Sequence, residues 1–429
     1  MKIKEKIMGI KLGLVGLGMF GSQFAKLFKA HPLVDKIALC DCEAEKVKKF
    51  LEDPFMADKV SAKDCYQHLD DICKADLDAI VVITQPWLHA PQCIQVLESG
   101  KHVYSAVPVI SLPDDEETLD WCGKVREAVR KSGREYMLGE TTVYRPQTMF
   151  CRRMAKKGLF GDFVYAEGEY IHDVDAQCNL RQVARSRSTG AIGQQLSALM
   201  APYRARGCKS HPMAYPTHSV SGPINVMKTR ALKVSAYGVS NTTNDSFFEH
   251  HDFSNIAALY QLANGSSLRI AEFREAGANS LERAESEIFR LVGKMGSFSR
   301  NVWQCNHRTA EGTAKVIRPP HAGEEECKDL EQTVYCTLTP EEMRDPLPPE
   351  VRAEFKKVLN PDAAPDDDFK PTGHGGSHPY LVHEFVSMVH EERKPEISVE
   401  EAMHYMAMGV AAHKSALREG ELVSVEQFD

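Results

Sequence analysis

The chain has 429 residues, 43% of them hydrophobic and 26% charged, which sets aside disordered, collagen-like and coiled-coil chains. At roughly 100–200 residues per domain there is room for two or three domains. With 52 Lys and Arg against 60 Asp and Glu, a net charge of −8, there is no basic footprint for nucleic acid, and no apolar run reaches membrane-spanning length, so a small-molecule partner is expected.

Lys2, Lys4 and Lys6 precede an apolar stretch, but Lys11 interrupts it and no small-x-small cleavage site follows, so no signal peptide is expected. Ile10 to Val15 instead reads as a buried strand running into Gly16, Gly18 and Gly21. Phe20, Phe24, Leu27 and Phe28 then recur on one helical face. A second strand over 37–40 ends at Asp41, 20 residues beyond Gly21. The alternation continues with a doubly buried strand over 77–84, a helix stopping at Gly100 and a strand over 101–104. A helix over 114–132 has Asp114 to Glu117 in its first turn and Gly133 past its end, and a strand over 135–139 follows. Such βαβ alternation predicts a doubly wound parallel sheet.

Beyond residue 150 the pattern changes to longer strands over 162–172, 232–239 and 256–263. Asn264-Gly265 is a hairpin signal into a strand over 267–273, and another hairpin turns near Lys294 to Gly296. The second domain is thus α+β with a large, mostly antiparallel sheet, one face of it open. Segment 318–372 is rich in Pro, Asp and Glu and reads as a surface excursion with a short helix near 349–359. Terminal helices fill 379–420, the last opened by a capping box from Ser398 to Glu401 and lined with small residues for close packing. The expected domains are 1–142 and 143–429, the terminal helices packing back on the first. Twelve cysteines occur without CxxC or zinc-like spacing. They suit reduced thiols and a cytoplasmic location, with a disulfide reading left open by their even number. His250, His251 and His374 have no metal-ligand pattern around them, and no metal site is expected.

Gly16, Gly18 and Gly21 follow a strand, open a helix and are trailed by Asp41, the full dinucleotide fingerprint. Gly16 makes the turn, Gly18 admits the pyrophosphate, and Gly21 allows close helix packing. Asp41 is expected to accept from the adenosine ribose hydroxyls. No arginine follows it and its charge repels a 2′-phosphate, so NAD is expected over NADP.

These residues resemble the Gfo/Idh/MocA family, which pairs a Rossmann domain with an open-faced sheet domain. The resemblance covers nearly the whole chain. It rests on Gly16-Leu-Gly-Met19-Phe20-Gly21, on Thr84-Gln-Pro86-Trp87-Leu-His89 as a cofactor loop, on Gly100 to Tyr104 leading to a proline, and on Gly373-His374-Gly375-Gly376. It implies that Met19, Phe20, Thr84, Pro86, Trp87, His89 and Val107 join the glycines and Asp41 around NAD. The family's dehydrogenases read Glu-Lys-Pro where this chain has Ala106-Val107-Pro108. Valine cannot move a proton. That departure is similar to glycoside hydrolase family 109, the NAD-dependent α-N-acetylgalactosaminidase type. Met137 to Tyr144, Tyr170-Ile171-His172-Asp173 and Tyr215-Pro216-Thr217-His218 resemble that branch in order, whereas Ser219 to Gly222 departs from its GLGP.

The resemblance implies catalytic or substrate-contacting roles for Glu140, Tyr170, Tyr215 and His218. Each has a plainer alternative. Thr217 is placed to cap a helix over about 218–229, Glu140 could be a solvated strand-end carboxylate, and Tyr170 a sheet aromatic. A histidine in a first helical turn is, however, kept neutral by the helix dipole and so available as a base. The expected chemistry is hydride transfer from a sugar carbon, C3, with His218 or Tyr215 taking the hydroxyl proton. A second base, Tyr170 or Glu140, then takes the C2 proton so that the C1 substituent leaves and water adds. The alternatives are a plain NAD-dependent sugar or inositol dehydrogenase and a non-catalytic NAD- or sugar-binding regulator. By the same resemblance the chain is expected to form a homo-oligomer, a dimer or tetramer.

Overall fold

The computed structural model describes residues 9–175, 180–276, 287–305, 335–364 and 366–428. The first sheet is wholly parallel, built from β1 (Ile10–Val15), β2 (Val34–Cys40), β3 (Cys65–Tyr66), β4 (Ala79–Val82), β5 (His102–Ser105) and β6 (Tyr136–Leu138). Its helices are α1 (Met19–Ala30), α2 (Ala44–Leu51), α3 (Leu69–Lys74), α4 (His89–Glu98) and α5 (Asp115–Ser132). The spatial order β3-β2-β1-β4-β5-β6 reverses between β1 and β4, which opens a crevice at the carboxyl ends of these strands. All four residues of β4 are buried, as helices on both faces require. Asp114 caps α5 through the amides of Glu116 and Glu117, and Gly133 ends it at φ +63°.

The chain leaves β6 through a short turn and α6 (Pro146–Lys156) into β7 (Phe163–Ile171). Three helices follow, α7 (Leu180–Arg187), α8 (Gly190–Ala205) and α9 (Thr217–Met227). The first two were not expected: α7 is polar and buries no residue, and in α8 the apolar row Ile192, Leu196, Leu199, Met200 and Tyr203 is interrupted by Gly193 and Pro202. The remaining strands are β8 (Ala231–Val239), β9 (Asn255–Leu262), β10 (Ser267–Phe273), β11 (Glu287–Gly293), β12 (Gly296–Ser299), β13 (Val302–Cys305), β14 (Cys336–Thr337) and β15 (Val423–Ser424). They join β7 in a nine-stranded sheet, order β14-β13-β12-β11-β7-β10-β9-β8-β15. Only β7 and β10 pair in parallel; the other neighbours are antiparallel. Asn264-Gly265 turns the β9–β10 hairpin with Gly265 at φ +84°.

In β9, Ile256, Ala258, Tyr260 and Leu262 point inward, while Leu259 faces out at 53% exposure. Leu232, Tyr237 and Val239 of β8 are exposed as well. The inner face is covered by α9 and by α13 (Val399–Leu417), which also packs on α5 and so touches both sheets' layers. Gly409 of α13 allows this approach: a Cβ there would stand 2.3 Å from the Met213 carbonyl oxygen and 2.7 Å from Pro216. The excursion contributes α10 (Pro340–Met343) and α11 (Pro349–Leu359), and α12 (His378–His390) packs on α1. Residues 318–334 of the excursion lie outside the described residues. No two of the described cysteines are joined by a disulfide, and no described helix is long and apolar enough to cross a membrane.

Candidate active site

The Gly16–Gly21 turn fits a dinucleotide. Gly16 sits at φ +93°, and a Cβ there would lie 2.1 Å from the Ile83 carbonyl oxygen; one on Gly21 would lie 1.9 Å from that of Gly16. Around Gly18 an added Cβ would meet nothing within 4 Å. That open space lies over the start of α1, whose amides have no side-chain cap and whose first turn has no carboxylate. Uncapped amides with an open approach are what a pyrophosphate needs. Asp41, buried at the end of β2, accepts from the Leu17 amide at 2.7 Å and the Glu43 amide at 2.9 Å, which ties the glycine turn to the end of β2. Met19 is 82% exposed, whereas the Phe20 ring meets His374 and His378 edge-on, each at 5.6 Å.

The opposite lip comes from the segments after β4 and β5. Thr84 Oγ1 donates to Gln92 Oε1 at 2.5 Å, and the Pro86 carbonyl accepts from the Ser111 amide at 3.2 Å. Trp87 is buried, and its indole N–H has no partner among the described residues. His89 Nδ1 lies 2.8 Å from the Pro108 carbonyl oxygen and Nε2 3.4 Å from that of Thr84. Burial lowers its pKa to about 4, so a neutral ring braces the Val107–Pro108 loop. The Val107 carbonyl in turn accepts from the Tyr215 hydroxyl at 2.8 Å, joining this loop to the second domain.

Glu140 leaves β6 at the carboxyl edge of the first sheet and is wholly buried. Its Oε1 accepts from the Thr142 amide at 2.9 Å and lies 2.7 Å from Nδ1 of His218 in the first turn of α9. Burial pushes this carboxyl upward, but His218 and the Thr142 amide outweigh burial and bring it down to about 2. The carboxylate therefore accepts from Nδ1–H, which leaves Nε2 as the ring nitrogen that carries the lone pair in the neutral imidazole. The Tyr170 ring lies 4.7 Å from the His218 ring, and its hydroxyl 2.9 Å from His172 Nδ1. The Tyr215 ring lies 5.5 Å from His218, and burial raises its phenol pKa. Glu140, Tyr170 and Tyr215 thus surround the His218 imidazole. Thr217 does not cap α9: Pro216, already in helical conformation, occupies that position, and the helix starts at Thr217 itself.

Further residues meet here to which the sequence assigned no part in the chemistry. Loop Gly373–Gly376 brings His374, at φ +44°, within the electrostatic reach of His218 and Glu140, with Nδ1 2.9 Å from His378 Nε2. Burial lowers their pKa values to about 3 and about 4. On β10, Glu272 continues the inward row of Leu268 and Ile270 and is wholly buried beside Ser219. A carboxylate in an otherwise apolar period-2 row was the available signal. Away from this site, Asp115, His211 and His413 place ligand-type atoms within 4.8 Å of one another.

Residues 10–140 match the family model described as "Oxidoreductase family, NAD-binding Rossmann fold", the Gfo/Idh/MocA model. A glycosyl hydrolase family 109 protein of Shewanella pealeana is 28% identical over 179 residues, and an α-N-acetylgalactosaminidase of Shewanella oneidensis 27% identical over 179 residues. Each match takes in 40% of this chain and 37% of the relative's own length. Over 98% of this chain and 99% of the other, the fold superposes on scyllo-inositol dehydrogenase from Lactobacillus casei with a TM-score of 0.60 at 14% identity. With its glycine turn, Asp41 and parallel sheet in place, the segment 10–140 is similar to the NAD-binding Rossmann domain of the Gfo/Idh/MocA oxidoreductases.

Proposed function

We propose that the chain is an NAD-dependent enzyme that oxidises a sugar or glycoside at C3 and couples this to elimination and hydration across the glycosidic bond. The observation that carries the proposal is the buried Glu140–His218 pair, 2.7 Å apart and flanked by Tyr170 and Tyr215, at the carboxyl edge of the dinucleotide sheet. Val107, where dehydrogenases of the resembled family have lysine, leaves His218 as the base. The similarity to relatives named as family 109 hydrolases and as an α-N-acetylgalactosaminidase supports the glycoside branch.

NAD⁺, when bound, supplies the two-electron acceptor for the sugar carbon. His218 Nε2 takes the proton of the C3 hydroxyl, while Glu140 fixes the ring and offsets the imidazolium charge. Tyr215 spends its own proton on the Val107 carbonyl, so its oxygen is an acceptor for a neighbouring hydroxyl of the sugar and orients the ring. A C3 ketone acidifies the C2–H; Tyr170 takes that proton after passing its phenolic proton to His172 Nδ1, as the C1 substituent leaves. Water then adds at C1 and the ketone is reduced again, so the net change is hydrolysis. We also propose that a second copy of the chain covers the open face bearing Leu232, Tyr237, Val239 and Leu259.

The test is hydrolysis of aryl glycosides in D₂O with NAD⁺ present. Aglycone release with deuterium at C2 is the expected result. Release without deuterium at C2 rules out elimination, and steady NADH accumulation from a free sugar would replace this reading with a plain dehydrogenase.

A further inference from the structure

Behind His218 and Tyr170 lies a second charged pair. Glu272 and Arg274 project from the β10 end beside β7, where Glu272 is directly abreast of Tyr170. Both are buried, and Arg274 Nη2 donates to Glu272 Oε2 at 2.8 Å. The other oxygen, Oε1, accepts a short hydrogen bond from Ser219 Oγ, the residue after His218. The Arg274 guanidinium lies over the Tyr170 ring, 5.2 Å from its centroid, and also reaches the Pro212 carbonyl in the turn leading to Tyr215. One pair thus touches the helix start carrying His218, the ring of Tyr170 and the turn of Tyr215.

Two buried charges are costly unless their geometry and hydrogen bonds are complete. An apolar pair of similar volume would serve a sheet interior as well, and Leu268 and Ile270 fill the preceding inward positions of the same strand. We propose that Glu272 and Arg274 are positioning residues for proton transfer: the carboxylate holds the first turn of α9 through Ser219 and favours the His218 imidazolium, and the guanidinium fixes the Tyr170 ring. The proposal rests on the assignment of His218 and Tyr170 as the proton-transfer groups. Facing Glu272 are His218 and Ser219 of α9, Tyr170 of β7, Tyr260 of β9, Tyr215 of the turn and Arg274 of its own strand. Burial foremost, against the pull of Arg274 and Ser219, raises the Glu272 pKa to about 7, so the carboxylate charges within the working range of the base it supports.

The test compares the full-length protein with Glu272→Gln and Ser219→Ala. The His218 ring is titrated by NMR, turnover is followed against pH, and NADH binding and melting temperature report on the fold. In Glu272→Gln the His218 midpoint and the acid limb of kcat are expected to move to lower pH, because a neutral amide no longer favours imidazolium. With KM little changed, kcat is expected to fall about tenfold or more. Ser219→Ala keeps the charge, and is expected to lower kcat with unchanged melting and NADH binding; it decides the matter if Glu272→Gln does not fold. An unmoved His218 midpoint in Glu272→Gln, or unchanged kcat in Ser219→Ala, overturns the proposal. A wild-type protein that turns over no sugar or glycoside while the midpoint still moves overturns the proposed function and leaves the positioning pair standing.

Discussion

At Glu140 two opposing effects meet: burial, which favours the neutral acid, and a hydrogen-bonded imidazole with a backbone amide, which favours the anion. The anion wins, and its pKa falls to about 2. A permanently charged acceptor on Nδ1 fixes both the tautomer and the plane of His218. Glu140→Gln keeps the volume but offers no fixed charge, and its amide group can turn a donor toward Nδ1, which stabilises the opposite tautomer. In the carboxylate–histidine logic of hydrolytic triads such a change costs about 10²–10⁴ in kcat with little change in KM, and that loss is expected here. Its sign with pH is also defined. A carboxyl group held below its unfolded value stabilises the fold above about pH 4.5, and this is lost as pH falls toward 2. Wild-type melting temperature should therefore drop more steeply in acid than that of Glu140→Gln. Parallel melting curves between pH 5 and 3 would contradict the charged pair.

At the scale of elements, the glycine turn was the most legible part of the sequence, because its geometry is local. The structure divides its glycines into two kinds. Gly21 is needed by the fold, since any side chain would strike the Gly16 carbonyl oxygen 1.9 Å away. Gly18 has an ordinary negative φ and empty space around it, so the fold tolerates a side chain that a dinucleotide does not. Gly18→Val is expected to melt close to wild type and lose most NADH affinity, whereas Gly21→Ala loses stability by about 1–3 kcal/mol, the scale of an overpacked site. Calorimetry and NADH fluorescence separate the two. The β strands were legible for a similar reason: period-2 burial in β9 and the Asn264-Gly265 turn are local patterns. α8 was not: Ile192, Leu196, Leu199 and Met200 recur at helical spacing, but Gly190, Gly193 and Pro202 within the same stretch weaken the local helix signal. Nor was the second half of the site. Glu272, Arg274 and His374 come together with His218 only through pairing of β10 with β7 and the return of the 373–376 loop, contacts that no window of sequence contains.

For the whole molecule, the joint between the two sheets' layers has its own charge arrangement. Asp115 at the start of α5 lies 3.1 Å from His211 Nε2 and 2.8 Å from His413 Nδ1, and His413 Nε2 lies 3.2 Å from Asp252. Lys209 approaches Asp252 at 4.0 Å, and Lys414 pairs with Glu116 alongside. The two imidazoles stack in parallel, 3.5 Å between centroids at 7°. A metal ion must lie in the plane of each ring that binds it, and no point lies in two parallel planes, so this cluster holds protons better than it holds a cation. Burial works against a charged His413, but its hydrogen bonds to Asp115 and Asp252 outweigh burial and raise its pKa. Burial, with the neighbouring His413, lowers that of His211. One imidazolium therefore sits between two carboxylates with a neutral ring stacked on it. A histidine whose folded pKa is raised contributes stability that is complete below its unfolded value of about 6.5 and disappears as pH rises through the folded value. Asp115 and Asp252, both held low, contribute above about pH 4 and lose it in acid. The joint is thus tightest between these limits. Because His211 begins the turn that ends at Tyr215, loosening it in alkali should reach the site. Melting temperature and kcat of the wild type are expected to fall together from pH 6.5 to 9, while His413→Gln starts lower and stays nearly flat. Curves for the two proteins that run parallel across that range would show that the imidazolium does not hold the joint.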